Sequence, residues 1–161
     1  MSSYDFDFIG GFNSTYVFVT KHSIVYEIKF KPSTYIFGYQ AIESEFAYEF
    51  VIEVAENLTG KNPVLDTAIS PTIASIFYDF FKLKETVVVY ICDDSDGKAK
   101  VRNRKFSQWF EQYNRLIFLK FDFSLGTETE YYLTTIITRF DNPKLSEIIK
   151  SFQNINNDYK K

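Results

Sequence analysis

The stretch TVVVYIC, from Thr86 to Cys92, constrains the fold more than any other part of the sequence. Its side chains are almost all apolar, and they do not alternate with polar ones as they do in a strand with one face in water. The run is short enough for a strand and too short for a typical helix. It therefore predicts a central strand that other elements cover on both faces.

Other segments alternate between apolar and polar residues and predict strands with one wet face. In IVYEIKF the apolar residues share one face, while Glu27 and Lys29 lie on the other. Sheets with one wet face are typically antiparallel. Lys21-His22-Ser23 forms a hairpin connection, with His22 read as a turn residue. The strands expected before the first helix are Thr15–Thr20, Ile24–Phe30, a short optional one at Tyr35–Tyr39, and Glu45–Val54.

Three helices are expected from the remaining patterns. Ser70-Pro71 is a strong helix start, with a start capped by Asp66 as the alternative. A second helix is expected from Lys98 to Tyr113, and Asp141-Asn142-Pro143 opens a third. The segments RLIFLKFDF and TEYYLTTIITRF form a second hairpin between these two helices.

The element order is therefore βββ(β)-α-β-α-ββ-α. This order predicts an α+β fold with one mostly antiparallel sheet of about six to seven strands and three helices packed on one side. The whole chain, residues 1–161, is expected to form a single domain, in which the polar tail 156–161 frays.

Composition excludes several classes of function. The net charge of −3 argues against general nucleic-acid binding, which needs a broad basic face. No apolar run reaches the length of a membrane span, and the amino terminus lacks the pattern of a signal peptide. The single Cys excludes an internal disulfide and a cysteine zinc cluster, and Cys92 is expected to be a buried thiol. We expect a cytoplasmic protein without a cofactor or a membrane partner.

The stretch YICDDSDGKAKVRNRKFSQWF, residues 90–110, differs from the rest of the chain. Its apolar strand ends in clustered carboxylates, and a run of basic residues follows at the start of the predicted helix. Lysines in a first helical turn oppose the helix dipole, and such departures from local rules are commoner at functional sites. The candidate binding residues are Asp93, Asp94, Asp96, Lys98, Arg102, Arg104, Lys105 and Trp109.

Two interpretations of this stretch remain open. In the structural one, Asp96 or Ser95 caps the helix, and Arg102 is a buried pin that pairs with a carboxylate such as Asp79. In the chemical one, the aspartates hold Mg²⁺ or Mn²⁺ beside cations that bind phosphate, with Glu53, Asp66 and Asp79 as further ligands. Because the spacing does not require convergence, we assign neither catalytic residues nor a metal site.

The segments FNSTYVFVTKHSIVYEIKF, SPTIASIFYDFF and YICDDSDGKAKVRNRKFSQWF resemble a family of small uncharacterised bacterial proteins of the Bacteroidota type, classed as a domain of unknown function. The resemblance covers roughly residues 4 to 140. It implies one compact bacterial domain and the importance of Asp96, Arg102, Arg104, Phe106 and Trp109. It implies no activity.

We therefore expect a non-catalytic cytoplasmic module that binds another protein, of an immunity, antitoxin or defence-accessory type by analogy alone. A homodimer remains open. The alternative is a metal-dependent enzyme or sensor that handles phosphate or nucleotides with the segment Asp93–Arg104, but the absence of a recognisable catalytic set favours a protein that is not an enzyme.

Overall fold

The computed structural model describes residues 2–34, 45–93, 97–126 and 131–160. These residues form seven strands and three helices, so the predicted α+β class and element order are confirmed. The strands are β1 Phe6–Gly10, β2 Thr15–Val19, β3 Ile24–Pro32, β4 Ala47–Asn57, β5 Val87–Asp93, β6 Phe118–Gly126 and β7 Tyr131–Arg139; the helices are α1 Ile69–Phe80, α2 Ala99–Tyr113 and α3 Leu145–Lys160.

The strands form one sheet in the order β1-β2-β3-β4-β5-β7-β6. β1 pairs antiparallel with β2, and β2 with β3. β7 pairs antiparallel with both β5 and β6. β4 and β5 pair in parallel, with Ala47–Glu49 aligned to Val87–Val89. The sheet is therefore mostly antiparallel, as predicted.

The chain folds as two compact units, and the first comprises Met1–Lys31 and Phe50–Lys82. Its core is aromatic. Phe30 of β3 is fully buried and stacks on Phe80 of α1 at a ring-centroid distance of 3.8 Å. Phe77 of α1 packs against Phe50 of β4 at 4.8 Å. Because these rings come from helix and sheet together, they hold α1 on one face of the first unit's strands.

The second unit comprises Pro32–Glu49 and Leu83–Lys161. Val87, Val88 and Val89 of β5 are fully buried, which confirms the strand covered on both faces. Val87 and Val89 belong to the core that includes Phe152 of α3. Successive side chains of a strand point to opposite faces, and Tyr90 contacts Phe106 of α2 at a ring-centroid distance of 4.4 Å. Hence α2 and α3 cover opposite faces of β5.

Two details of the sequence interpretation are wrong. The helices do not all pack on one side, because in the second unit α2 and α3 lie on opposite faces of β5. Ser70 is not the cap of α1, which begins at Ile69 with Ala68 at the N-cap position. The Asp66 carboxylate instead accepts the Ala68 N–H at 3.0 Å, close to the alternative start.

Three further points concern an optional strand, the carboxyl-terminal tail and membrane-spanning helices. The optional strand Tyr35–Tyr39 lies outside the described residues. The frayed tail at 156–161 stays a prediction, and the α3 backbone is helical to Lys160. Within the described ranges, no helix combines the length and apolar character needed to cross a bilayer.

The aromatic core of the first unit yields a test of stability. We expect Phe30→Ala to lower the free energy of unfolding by about 3–5 kcal/mol, because it removes a buried ring and leaves a cavity. The matched control is Phe12→Ala, since Phe12 is 81% exposed, and we expect it to change stability by less than about 0.5 kcal/mol. Urea denaturation of both variants measures this, and equal losses would contradict the assignment of the core.

Candidate functional site

Only part of the predicted site can be placed. Asp94 and Asp96 lie outside the described residues, and so does the side chain of Asp93, whose backbone ends β5. Among the residues that the structure describes, no group of three or more His, Cys, Asp or Glu side chains is placed to hold a metal ion. The metal interpretation therefore gains no support from the described carboxylates.

The start of α2 differs from the prediction. Lys98 is the N-cap residue and makes no side-chain capping hydrogen bond, whereas Asp96 and Ser95, the predicted capping residues, lie outside the described residues. The first intrahelical bond runs from the Arg102 N–H to the Lys98 carbonyl oxygen at 3.1 Å. A cation at this position opposes the partial positive charge of the helix N-terminus. The local sequence is thus not optimised for helix stability.

α2 is a peripheral helix, and the structure describes all of it. Of its fifteen residues only Ala99 and Phe106 are buried. Arg102 and Trp109 lie half-buried on one flank. The exposed side carries four cations around an apolar residue, Val101, which is 61% exposed. We call this set the cationic face: Lys98, Lys100, Val101, Arg104 and Lys105.

The cationic face and the half-buried flank meet at one aromatic residue. The Lys105 ammonium lies 5.3 Å from the centroid of the Trp109 ring. A cation over an aromatic ring at this distance contributes about 0.5–1 kcal/mol at exposed sites. Trp109 therefore orients Lys105 and continues the cationic face with an amphipathic ring of the kind enriched at protein interfaces.

Tyr90, Cys92 and Arg102 form a polar group beneath α2, at the face that packs on β5. Burial raises the pKa of Tyr90, as does its hydrogen bond to Cys92, while the nearby Arg102 guanidinium opposes the rise. Cys92 is only 2% exposed, so the predicted buried thiol is confirmed. The raised pKa keeps the Tyr90 hydroxyl protonated at neutral pH. Arg102 lies beside this group rather than fully inside the core.

Three further carboxylates, named above as conceivable metal ligands, each have their own partners in the first unit. Asp79 accepts a hydrogen bond from the Tyr16 hydroxyl at 2.6 Å and pairs with Lys82 at 2.8 Å. Asp66 accepts from the Tyr4 hydroxyl at 2.5 Å. Glu53 pairs with Lys29 at 2.8 Å. These bonds join the strands, the amino-terminal segment and α1, and they give the carboxylates a structural role.

The structure exposes large apolar side chains at turns that the sequence pattern does not predict. Leu116 is 90% exposed and Phe140 is 58% exposed. The segments RLIFLKFDF and TEYYLTTIITRF predict strands, and both residues lie at strand ends where alternation no longer determines burial. The missed signal was a large apolar residue directly beside a cation at a predicted boundary.

A family of unknown function, DUF6169, matches residues 65–154, more than half of the chain. The chain belongs to this family. The match includes two of the three segments that carried the resemblance, SPTIASIFYDFF and YICDDSDGKAKVRNRKFSQWF, and it excludes FNSTYVFVTKHSIVYEIKF. The expectation of a domain of unknown function is therefore confirmed.

The other comparisons add little. No curated protein matches the sequence of this chain. Among solved structures, a CoA-dependent acyl-homoserine lactone synthase, MesI, is similar over 95% of this chain and 73% of its own, with 10% identity and a TM-score of 0.37. A similarity of that size carries no argument about the function of this chain.

The position of Arg102 separates the two interpretations of α2. We expect Arg102→Ala to lower the free energy of unfolding by about 1–3 kcal/mol, because it removes a half-buried charge from the polar group beneath the helix. The exposed Arg104 supplies the control, and Arg104→Ala should change stability by less than about 0.5 kcal/mol. An Arg102→Ala protein of unchanged stability that loses a response to phosphate or nucleotide would favour the enzyme interpretation.

The Asp79 cluster predicts a pH dependence. Hydrogen bonds from Lys82 and Tyr16 lower the pKa of Asp79 in the folded chain. A carboxyl group whose pKa is lower in the folded state stabilises the fold above its unfolded pKa of about 4, and this contribution is lost as the pH falls through the folded pKa. The stability difference between wild type and Asp79→Ala should therefore be largest near neutral pH and shrink below about pH 4.

Denaturation at a series of pH values measures this difference, with the exposed Asp5→Ala as the control that leaves the stability profile unchanged. A difference for Asp79→Ala that stays constant down to the acid limb would contradict the role of the ionised carboxylate.

Proposed function

We propose that this protein is a non-catalytic module of the bacterial cytoplasm that binds another protein through the cationic face of α2. The partner presents an acidic surface. The observation that carries the proposal is the arrangement of cations around the exposed Val101, on a helix that buries only Ala99 and Phe106. The exposed side chains of α2 are therefore available for contacts with a partner.

The charge distribution along the chain supports an acidic partner. The face carries Lys98, Lys100, Arg104 and Lys105, and the only carboxylate within α2 is Glu111. The chain as a whole has a net charge of −3, so this cationic surface is local. Complementary charges at an interface accelerate encounter and select the partner, while an apolar centre such as Val101 contributes burial.

The same features favour protein over nucleic acid as the partner. Nucleic-acid binding draws its affinity from many phosphate contacts across a broad basic surface. Here the cations occupy one helix of an acidic chain, and they surround apolar and aromatic side chains, Val101 and Trp109. The single buried thiol, Cys92, agrees with a reducing compartment, in which disulfides are rare.

A charge reversal on the cationic face tests the proposal. The test is capture of the partner protein from extracts of cells that make this protein. We expect the wild type to capture the partner and the variant that combines Lys100→Glu with Arg104→Glu not to capture it. Both residues are exposed, so the change should leave the melting temperature nearly unaltered. The retained protein should be acidic at its contact site, and its binding should weaken as salt rises.

The matched control is Glu111→Lys, on the same helix, which should retain the partner at least as well as the wild type. The alternative function is tested on the same proteins by thermal shift with Mg²⁺, Mn²⁺, nucleotides and phosphate. A ligand at a hundred times its Kd stabilises a fold by about 2.7 kcal/mol. A shift of that order, or retention of DNA in place of protein, would contradict the proposal.

A further inference from the structure

Three connections of the second unit meet at one end of its strands. The register aligns Val87 of β5 with Thr138 of β7, and Phe118 of β6 with Arg139. The segments before β5, before β6 and after β7 therefore lie side by side. A backbone hydrogen bond from the Phe140 N–H to the Ile117 carbonyl oxygen at 2.9 Å joins two of them directly.

Each connection places an exposed apolar residue next to a cation. These pairs are Leu83 with Lys84, Arg115 with Leu116, and Arg139 with Phe140. The apolar residues are 62%, 90% and 58% exposed, respectively. We call these six residues the loop-end patch. Single exposed apolar residues need no explanation, but a cluster with a polar rim is typical of an interaction site.

Leu116 has an unusual backbone as well as an exposed side chain. Arg115 and Leu116 follow each other with φ values of 51° and 61°, in the left-handed region that side chains with a Cβ rarely adopt. Asn114 holds this turn, since its side-chain oxygen accepts the Phe118 N–H at 2.9 Å. The conformation costs free energy for a residue other than glycine.

Burial of Leu116 does not offset that cost, because the side chain is 90% exposed in the described part of the chain. Glycine or asparagine would form the same turn with less strain. Local conflicts of this kind concentrate at functional sites, where a side chain is retained for a contact outside the fold. The turn therefore places the Leu116 side chain at the surface, where it is available to a partner.

The charge of the loop-end patch indicates the chemistry of the surface that it would bind. Asp141 accepts from the Arg139 Nε at 2.9 Å, and the Lys84 ammonium lies 3.7 Å from the same carboxylate, so two cations share one acid. Across residues 83–86, 114–117 and 139–144 there are four cations and two carboxylates, a net charge of +2 on a chain of net −3. The complement is a surface that is both acidic and apolar.

We infer that the loop-end patch docks an acidic protein segment in which Leu or Phe side chains lie among Asp and Glu. The inference rests on the proposed function only in that the chain binds a protein, and it names a second contact surface. A second copy of this chain would bring like charges together. A uniformly anionic lipid surface would meet the carboxylates of Glu85 and Asp141.

Short fluorescent peptides test this inference on the full chain, with fluorescence anisotropy as the readout. The peptides combine Glu with Leu, Glu with Ser, or Lys with Leu, and vesicles of anionic phospholipid form a separate arm. We expect the Glu–Leu peptide to bind most tightly. Leu116→Gly should weaken that binding about tenfold, as loss of a buried interface anchor does, and raise the Tm by about 2–4 °C as the strain is relieved.

Leu65→Gly is the matched control, because Leu65 is also 90% exposed but its φ is not positive. It should leave peptide binding unchanged without raising the Tm. Phe140→Ser provides a second arm, since it should weaken binding without the rise in Tm. The inference is overturned when Leu116→Gly binds like the wild type, when no peptide binds, or when the Lys–Leu peptide or the vesicles bind most tightly.

The charge-reversed α2 variant separates this inference from the proposed function. If Leu116→Gly weakens the binding of the Glu–Leu peptide and the charge reversal does not, the loop-end patch stands and contributes the docking surface. If only the charge reversal weakens binding, the loop-end patch is rejected, and the cationic face of α2 is retained.

Discussion

The fold depends on covering both faces of β5. Val87, Val88 and Val89 are fully buried, and a strand without a polar face is stable only when other elements exclude water from both sides. α3 covers one face with the core that includes Phe152, and α2 covers the other through Phe106. The structural role of α2 is therefore to cover the second face of β5. Ala99 and Phe106 are the buried residues of α2, and its exposed side carries the cationic face.

Much of this architecture is predictable from the sequence. The run TVVVYIC predicts β5 because its apolar residues do not alternate, and the alternation in IVYEIKF predicts β3. Phe77 and Phe80, three residues apart, lie on the same face of α1 and both pack against rings of the strands. β1 is not predictable in the same way, because the exposed Phe8 and Ile9 break the alternation that marks a strand. Because β1 is stabilised by its pairing with β2, its own residues show little of the pattern that predicts a strand.

The site is less predictable than the fold, for physical reasons. The basic run of α2 is plain in the sequence, but whether Arg102 is buried depends on how α2 tilts on β5, and a periodicity argument does not specify tilt. The loop-end patch depends on strand register, since the alignment of Val87 with Thr138 brings distant turns together. The left-handed turn at Leu116 has no glycine to mark it. Both surfaces are cationic and apolar on an acidic chain, and this combination unites the account of function.

The most direct test places a photo-reactive amino acid at position 101, at the centre of the cationic face, in cells that make this protein. Val101 is 61% exposed, so the replacement leaves the packing of α2 on β5 intact. The account predicts a covalent adduct with a defined protein segment rich in Asp and Glu, and loss of that adduct when Lys100 and Arg104 carry the charge reversal. Adducts with nucleotides or nucleic acid, or protein adducts that survive the reversal, would contradict it.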